Sequence, residues 1–136
     1  MAQSRTSVSR RLGVGIFLLT LATAAIHLYL AFAAIVYMGF NFGIMLFILN
    51  GLGYLALLAA LQLPQAARFR GAARWVLVAY TALTIVLFFL MAPTYTIIGY
   101  VDKAIEVALI ALLLADAYAA SSEPSGETAG ARTARP

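Results

Sequence analysis

Four long apolar stretches, separated by short links, dominate the hydrophobic pattern of the chain. They cover residues 12–38, 42–63, 75–92 and 97–118. A helix of about 20 apolar residues crosses the hydrocarbon core of a bilayer, and each stretch is close to that length or longer. Inside hydrocarbon, a single segment satisfies its own backbone groups only as a helix. The pattern predicts an all-α, polytopic membrane protein whose four transmembrane helices form an up-down-up-down bundle.

Polar segments flank this predicted transmembrane domain, which spans residues 12–120. Residues 1–11 (MAQSRTSVSRR) predict a flexible basic arm, and residues 121–136, rich in Ser, Gly, Pro and Thr, predict a disordered tail. Composition supports the class of protein, because 64% of the 136 residues are hydrophobic and 10% are charged. A soluble domain of this size could not bury so much apolar surface. The chain has no Cys, which excludes disulfides, thiolate metal sites and cysteine nucleophiles.

The positions of the arginines predict the orientation in the membrane. They precede the first stretch, separate the second from the third, and lie in the tail: Arg5, Arg10, Arg11, Arg68, Arg70, Arg74, Arg132 and Arg135. The other two links carry no Lys or Arg. Because basic loops stay in the cytoplasm, we expect a multi-pass protein of the cell inner (cytoplasmic) membrane with both termini cytoplasmic. Orientation accounts for every Arg, so the net charge of +4 does not indicate a nucleic-acid partner. The expected partner is the lipid bilayer.

Aromatic residues near the ends of the stretches predict two interfacial belts. The outer belt is expected to contain Tyr37, Phe40, Phe42 and Tyr95. The inner belt is expected to contain Phe69, Trp75 and Tyr118.

Ionisable and amide side chains interrupt the apolar stretches at a common depth. At a rise of about 1.5 Å per residue, Asp102, Lys103 and Glu106 lie about 7, 9 and 14 Å below the outer membrane boundary. The same estimate places Asn50 about 12 Å and His27 about 16 Å below it. Because charged groups are costly in hydrocarbon, they face protein or water. The sequence therefore predicts a polar network in the outer half of the bilayer.

Helical periodicity assigns these residues to faces. On the fourth helix, Asp102, Glu106, Leu109, Leu113 and Asp116 share one face. A seam of small residues lies opposite, at Ala104, Ala108, Ala111 and Ala115. A stripe on the first helix contains Thr20, Thr23, His27, Ala31 and Ala34. On the second helix, Asn50 and Tyr54 are i,i+4 neighbours, so the candidate binding residues are His27, Asn50, Tyr54, Asp102, Lys103 and Glu106.

Each candidate residue also has a structural interpretation. Lys103 is within i,i+3 reach of Glu106, so the two could form a self-neutralising pair that only fixes the helix. Asn50 could hydrogen-bond between helices without binding anything. His27 could be a hydrogen-bonded core residue, a ligand, or a proton relay near neutral pH. We expect Glu106 to be held by Lys103 and by His27 or Asn50.

Two segments carry a resemblance to a known group of proteins. LNGLGYLALL (49–58) and IIGYVDKAIEVALI (97–110) resemble segments of small, uncharacterised four-helix integral membrane proteins of bacteria and archaea. The resemblance covers about residues 12–120. It implies a four-span fold and carries no function, because none is known for that group.

Three functions remain open from the sequence. The first is a non-enzymatic membrane protein whose polar site binds or conducts a proton, a cation or a small polar solute. The second is a structural or assembly subunit, in which the alanine seam of the fourth helix contacts a second copy or a partner membrane protein. The third is a haem-b protein with His27 as axial ligand, which would require a second ligand from another chain. No nucleophile–base pair and no metal-ligand spacing is visible, so no catalytic residue, metal or cofactor is predicted.

Overall fold

Within residues 2–91 and 96–122, which this computed structural model describes, the chain forms four α-helices and one short 3-10 helix. The α-helices are α1 (Ala2–Met38), α2 (Phe42–Gln62), α3 (Arg70–Met91) and α4 (Ile97–Ser121). The 3-10 helix, Pro64–Phe69, connects α2 to α3. Side chains are described from residue 8 onward. The predicted all-α fold is confirmed.

Three segments of the described chain are long and apolar enough to cross a membrane. They are Val8–Met38, Phe42–Gln62 and Pro64–Met91. Helix α4 is less clearly apolar, because Asp102, Lys103, Glu106 and Asp116 lie within it. The structure thus supports a helical membrane protein with three clear candidate spans, and the fourth span stays a prediction.

Helix boundaries differ from the predicted ones chiefly at polar segments. Helix α1 begins at Ala2, so residues 2–11 are helical rather than a flexible arm. This segment contains no Gly or Pro, the two residues that most strongly break a helix. Helix α3 begins at Arg70, before the predicted start at residue 75. Some predicted features lie outside the described residues. They are the side chain of Arg5, Tyr95, and the predicted tail beyond residue 122 with Arg132 and Arg135.

A tight turn reverses the chain between α1 and α2. Gly39 has a φ of 68°, a left-handed conformation that glycine adopts without a steric penalty. Its backbone N–H donates to the carbonyl of Ile35 at 3.0 Å and closes α1. The Asn41 side chain then accepts from the backbone N–H of Ile44 at 3.1 Å and caps α2. The two helices consequently lie side by side.

Each α-helix packs against two others. Helix α1 contacts α2 and α4, and α3 also contacts α2 and α4, so the described helices form a closed ring of neighbours. Gly51 permits a close approach of α1 and α2. A Cβ at this position would lie 2.7 Å from Leu28 Cγ and 3.1 Å from the carbonyl oxygen of Ala24. The absence of a side chain there lets α2 sit directly on α1.

The predicted helix faces agree with the observed burial. Most of the polar stripe of α1 is buried, namely Thr20, Thr23, His27 and Ala31. The predicted inward face of α4 is buried at Asp102, Glu106, Leu109 and Leu113. All four residues of its alanine seam, Ala104, Ala108, Ala111 and Ala115, are exposed. The bundle therefore directs its ionisable groups inward and leaves large apolar side chains outside, as expected where the surroundings are lipid.

Candidate functional site

Glu106 is fully buried and lies where all four helices meet. Its Oε2 accepts a hydrogen bond from Lys103 Nζ at 2.5 Å. Its Oε1 lies 2.9 Å from the hydroxyl of Tyr54 on α2 and 3.0 Å from that of Thr84 on α3. The hydroxyl of Thr23 on α1 is 3.4 Å away. One carboxylate thus receives contacts from every helix of the bundle.

Asp102 forms the second acidic centre of the site, one turn before Glu106 on α4. Its Oδ1 accepts a hydrogen bond from Thr23 Oγ1 at 2.7 Å. Its Oδ2 lies 3.1 Å from Lys103 Nζ and 3.7 Å from His27 Nε2. We call the seven residues that meet here the polar cluster: Thr23, His27, Tyr54, Thr84, Asp102, Lys103 and Glu106.

The hydrogen bond made by His27 determines which ring nitrogen carries a proton. Nδ1 lies 2.9 Å from the backbone carbonyl oxygen of Thr23. A carbonyl oxygen only accepts, so Nδ1 must be the donor. In a neutral imidazole the other nitrogen, Nε2, then has a free lone pair, and it is this nitrogen that faces Asp102. The ring itself is flanked by Phe47 and Tyr54, with centroids 5.7 and 5.9 Å away.

The hydroxyl groups of the cluster supply a fixed number of protons. Each hydroxyl donates only one hydrogen bond. Thr23 makes its shortest contact with Asp102, and Tyr54 reaches Glu106 at 2.9 Å. The Thr84 hydroxyl has two acceptors within reach, Glu106 Oε1 at 3.0 Å and the carbonyl oxygen of Thr81 at 2.8 Å. Both carboxylates are therefore hydrogen-bonded, but hydroxyls do not neutralise their charge.

Lys103 is the ammonium group that sits between the two carboxylates. It lies next to Asp102 in sequence and within i,i+3 reach of Glu106, so one side chain contacts both. The Phe88 ring from α3 covers the ammonium, with its centroid 5.5 Å from Nζ. Gly99 makes room for that ring, since a Cβ at this position would come within 2.8 Å of Phe88 Cε2. The Thr96 side chain caps α4 by accepting from the backbone N–H of Gly99.

Formal charge in the cluster does not balance. Asp102 and Glu106 contribute two negative charges and Lys103 one positive charge. With His27 neutral, the cluster therefore carries one net negative charge. The other described acid of α4, Asp116, is already paired with Arg74 at 2.8 Å, outside the cluster. A buried charge without a partner is unfavourable, so the cluster has a physical reason to attract one more positive charge.

Three residues of the cluster could in principle approach a metal ion. His27, Asp102 and Glu106 each bring one suitable atom, and these atoms lie within 4.8 Å of one another. However, the Lys103 ammonium already contacts both carboxylates. A metal ion would have to displace that ammonium while leaving it buried. The arrangement fits a pair of carboxylates held by an internal cation better than a metal centre.

Five of the six residues predicted from the sequence come together: His27, Tyr54, Asp102, Lys103 and Glu106. Asn50 does not join them. Its side-chain oxygen is buried without a hydrogen-bond partner in the described part of the chain, and its backbone carbonyl accepts from Tyr80 at 3.1 Å. The expectation that His27 or Asn50 would hold Glu106 is corrected: the hydroxyls of Tyr54, Thr84 and Thr23 do so. The longer tyrosine side chain reaches the carboxylate from α2.

Thr84 belongs to the polar cluster but was not predicted from the sequence. The third apolar stretch contains only two threonines, Thr81 and Thr84, at i,i+3 spacing and next to Tyr80. Both threonines are buried. That spacing was the available signal for a polar face on α3. Asp116, which shares the predicted face of α4, pairs with Arg74 of α3 and remains partly exposed.

Comparison of the chain with protein-family models, with curated proteins and with solved structures found no match. The resemblance of segments 49–58 and 97–110 to small four-helix membrane proteins therefore stays a prediction.

We predict that Lys103 and Glu106 are energetically coupled. Lys103→Met leaves two buried carboxylates without their cation, and removing one partner of a buried pair typically costs about 3–5 kcal/mol. Adding Glu106→Gln should recover much of this loss, though not all, because Lys103 also contacts Asp102. The measurement is the free energy of unfolding in detergent for both single variants and the double variant.

A matched control is the partly exposed pair at the other end of α4. Arg74 and Asp116 have side chains that are 21% and 20% exposed. The same cycle with Arg74→Met and Asp116→Asn should give a coupling of about 1 kcal/mol or less. Additive effects of Lys103→Met and Glu106→Gln would contradict the coupling.

Proposed function

We propose that this chain is a four-span membrane protein whose polar cluster reversibly binds one positive charge in the outer half of the bilayer. The ligand is a proton or a small cation. The observation that carries the proposal is the charge count, with two buried carboxylates against one buried ammonium. A neutral polar solute would leave this deficit uncorrected, so a positively charged ligand is favoured.

The missing positive charge has a large energetic effect because the cluster is shielded from solvent. Glu106 has 0% exposure, and Asp102 and Lys103 have 3% and 6%. Coulomb interactions are several-fold stronger at such sites than in water, so one missing charge cannot be compensated by solvent. Uptake of one positive ligand would make the cluster neutral. Intramembrane ionisable groups of this kind are commonly parts of ion or proton pathways.

The proposed orientation places both termini and the α2–α3 connection in the cytoplasm. Arg10, Arg11, Arg68 and Arg70 are exposed near these ends of the bundle, as the positive-inside rule requires. Aromatic side chains expected at the interfaces are exposed too: Tyr37, Phe40 and Phe42 near the other end, and Phe69, Trp75 and Tyr118 near the arginines. With this orientation the polar cluster lies nearer the outer surface.

The orientation is tested with reporters fused to the full chain. A fusion after residue 120 should give activity only from a cytoplasmic reporter, because α4 would end inside. A second fusion in the α1–α2 turn, after Phe40, should give activity only from an extracytoplasmic reporter. The reverse pattern would contradict the orientation and with it the depth assigned to the cluster.

The binding proposal is tested by ligand-linked stability. A ligand bound only by the folded protein stabilises it, by about 2.7 kcal/mol at 100 times its Kd. We expect the melting temperature of the purified protein to depend on pH or on Na⁺, K⁺ or Mg²⁺ at constant ionic strength. Glu106→Gln removes the charge deficit, so this dependence should be lost in that variant. Thr20→Val, at a buried threonine of α1 outside the cluster, changes no charge and should retain this dependence.

Identical responses of the wild-type protein and Glu106→Gln to pH and to all these cations would contradict the binding proposal. Choline chloride holds the ionic strength constant, because the choline cation is too large for a site of this kind.

An assembly role is the second candidate, and the exposure of the alanine seam favours it. Small residues let helix backbones approach closely in lipid, where apolar burial alone gives no preference for protein over lipid. Helix α4 uses one face for the polar cluster and leaves the alanine seam uncovered. We propose that a second copy of the chain packs there.

This association is tested by enlarging the seam. Ala108→Leu with Ala111→Leu should block close helix contact and shift the protein to a smaller species in cross-linking and single-molecule photobleaching in bilayers. Ala56→Leu with Ala82→Leu, at exposed alanines of α2 and α3, is the matched control and should have no effect. A monomeric wild-type protein in bilayers would contradict the association.

A further inference from the structure

We infer that the positive charge taken up by the polar cluster is a proton bound at His27 Nε2, opposite Asp102. This inference rests on the proposed function and specifies its ligand. It assigns Lys103 the role of a permanent internal cation and His27 the role of the exchanging group.

The first support is the direction of the His27 ring. Nδ1 donates to the carbonyl of Thr23, so it keeps its proton in both charge states. Nε2 is therefore the nitrogen that gains or loses a proton. It lies 3.7 Å from Asp102 Oδ2, a separation longer than a hydrogen bond. A lone pair facing a carboxylate is unfavourable, and a proton on Nε2 converts this contact into an ion pair.

The second support is the occupancy of the carboxylate oxygens. Asp102 Oδ1 accepts from Thr23, and Glu106 Oε1 accepts from Tyr54. The remaining two oxygens contact Lys103 Nζ. Each acidic oxygen thus already has a donor, whereas Nε2 has only its long contact with Asp102 in the described structure. The imidazole nitrogen is the basic atom of the cluster that is left to take a proton.

The third support is the position of Lys103. A bare cation would need the space between the two carboxylates, and the ammonium already lies there. Binding a proton at Nε2 needs no displacement of any side chain. Proton binding therefore satisfies the charge deficit with the arrangement as it stands.

The groups around His27, either in contact with it or in contact with Tyr54 beside it, come from all four helices. On its own helix it contacts Thr23. Helix α2 contributes Tyr54, and its hydroxyl contacts Glu106 and Thr84 of α3. Tyr80 of α3 packs on the Tyr54 ring at 5.1 Å, and α4 contributes Asp102, Lys103 and Glu106. Among these described groups the formal charges come only from α4, so the charge state of His27 decides whether the cluster is balanced.

The proton step is a simple acid–base exchange. A hydronium ion donates its proton to the lone pair of Nε2 and becomes water, and a new N–H bond forms at that nitrogen. The sum of formal charges changes from −1 to 0. Release to water is the reverse step, and no oxidant or reductant is involved.

His27 is the only histidine in the chain, which makes the inference directly measurable. The full-length protein is labelled with ¹⁵N-histidine and its ring-nitrogen signals are recorded in detergent across the pH range. We expect the signals of the Nδ1–H neutral form to be replaced by those of imidazolium as the pH is lowered. Proton uptake across this range should fall by about one per chain in His27→Gln, measured by difference titration.

Two variants separate a role in charge balance from a merely structural one. Asp102→Asn leaves Glu106 and Lys103 balanced without any further charge, so imidazolium should appear only at lower pH than in the wild-type protein. Thr20→Val removes a buried hydroxyl of α1 that lies outside the polar cluster and donates to the carbonyl of Ile16, and it changes no charge. It should leave the transition close to its wild-type position, and an equal shift in both variants would overturn the inference.

The outcomes for the inference and for the proposed function are distinguishable. Stabilisation by a metal cation while His27 stays neutral would leave the proposed function intact and overturn the inference. A melting temperature that responds to neither pH nor cations would overturn the proposed function itself. A neutral His27 with its proton on Nε2, or an imidazolium throughout the range, would also overturn the inference, and both are read from the wild-type spectrum without any variant.

Discussion

The contact between Glu106 and Lys103 is the constraint on which the rest of the bundle depends. A carboxylate with no solvent exposure is tolerated only if a cation and hydrogen-bond donors surround it. The cation comes from the same helix, so α4 brings its charge pair as a unit. The donors come from α1, α2 and α3 through Thr23, Tyr54 and Thr84. Satisfying one buried acid therefore fixes the relative positions of all four helices.

This constraint explains why the bundle is specific although its surface is almost uniformly apolar. In lipid, leucine-rich faces gain little by packing on each other, and polar contacts or close small-residue contacts determine the arrangement. Helices α1 and α2 make a close small-residue contact at Gly51. Helices α3 and α4 are joined instead by ionic and hydroxyl contacts, namely Thr84 with Glu106, and Arg74 with Asp116 nearer the start of α3.

The hydrophobic pattern predicted the helices well because length and apolarity are properties of each segment alone. Helix α2, predicted as 42–63, was found as Phe42–Gln62. The buried face of α4 was predictable for the same reason. The hydrogen-bond partners of Glu106 were not predictable, because a threonine such as Thr84 is common within an apolar stretch and does not by itself indicate a polar contact. Only the packing of α3 against α4 shows that the Thr84 hydroxyl is a donor to Glu106, and only the folded structure shows that the Asn50 side-chain oxygen has no partner among the described residues.

A purely structural network would be expected to balance its charges. Replacing a buried ionic group by an isosteric neutral one is often neutral or stabilising, so a second acid without a second cation is a cost with no structural return. Asn in place of Asp102 could still accept from Thr23 and would leave Glu106 paired with Lys103. The acid at this position therefore fits the proposed role of partner to a charge that is taken up and released. The proposed site for that charge is the single histidine, whose Nε2 lies 3.7 Å from Asp102 Oδ2.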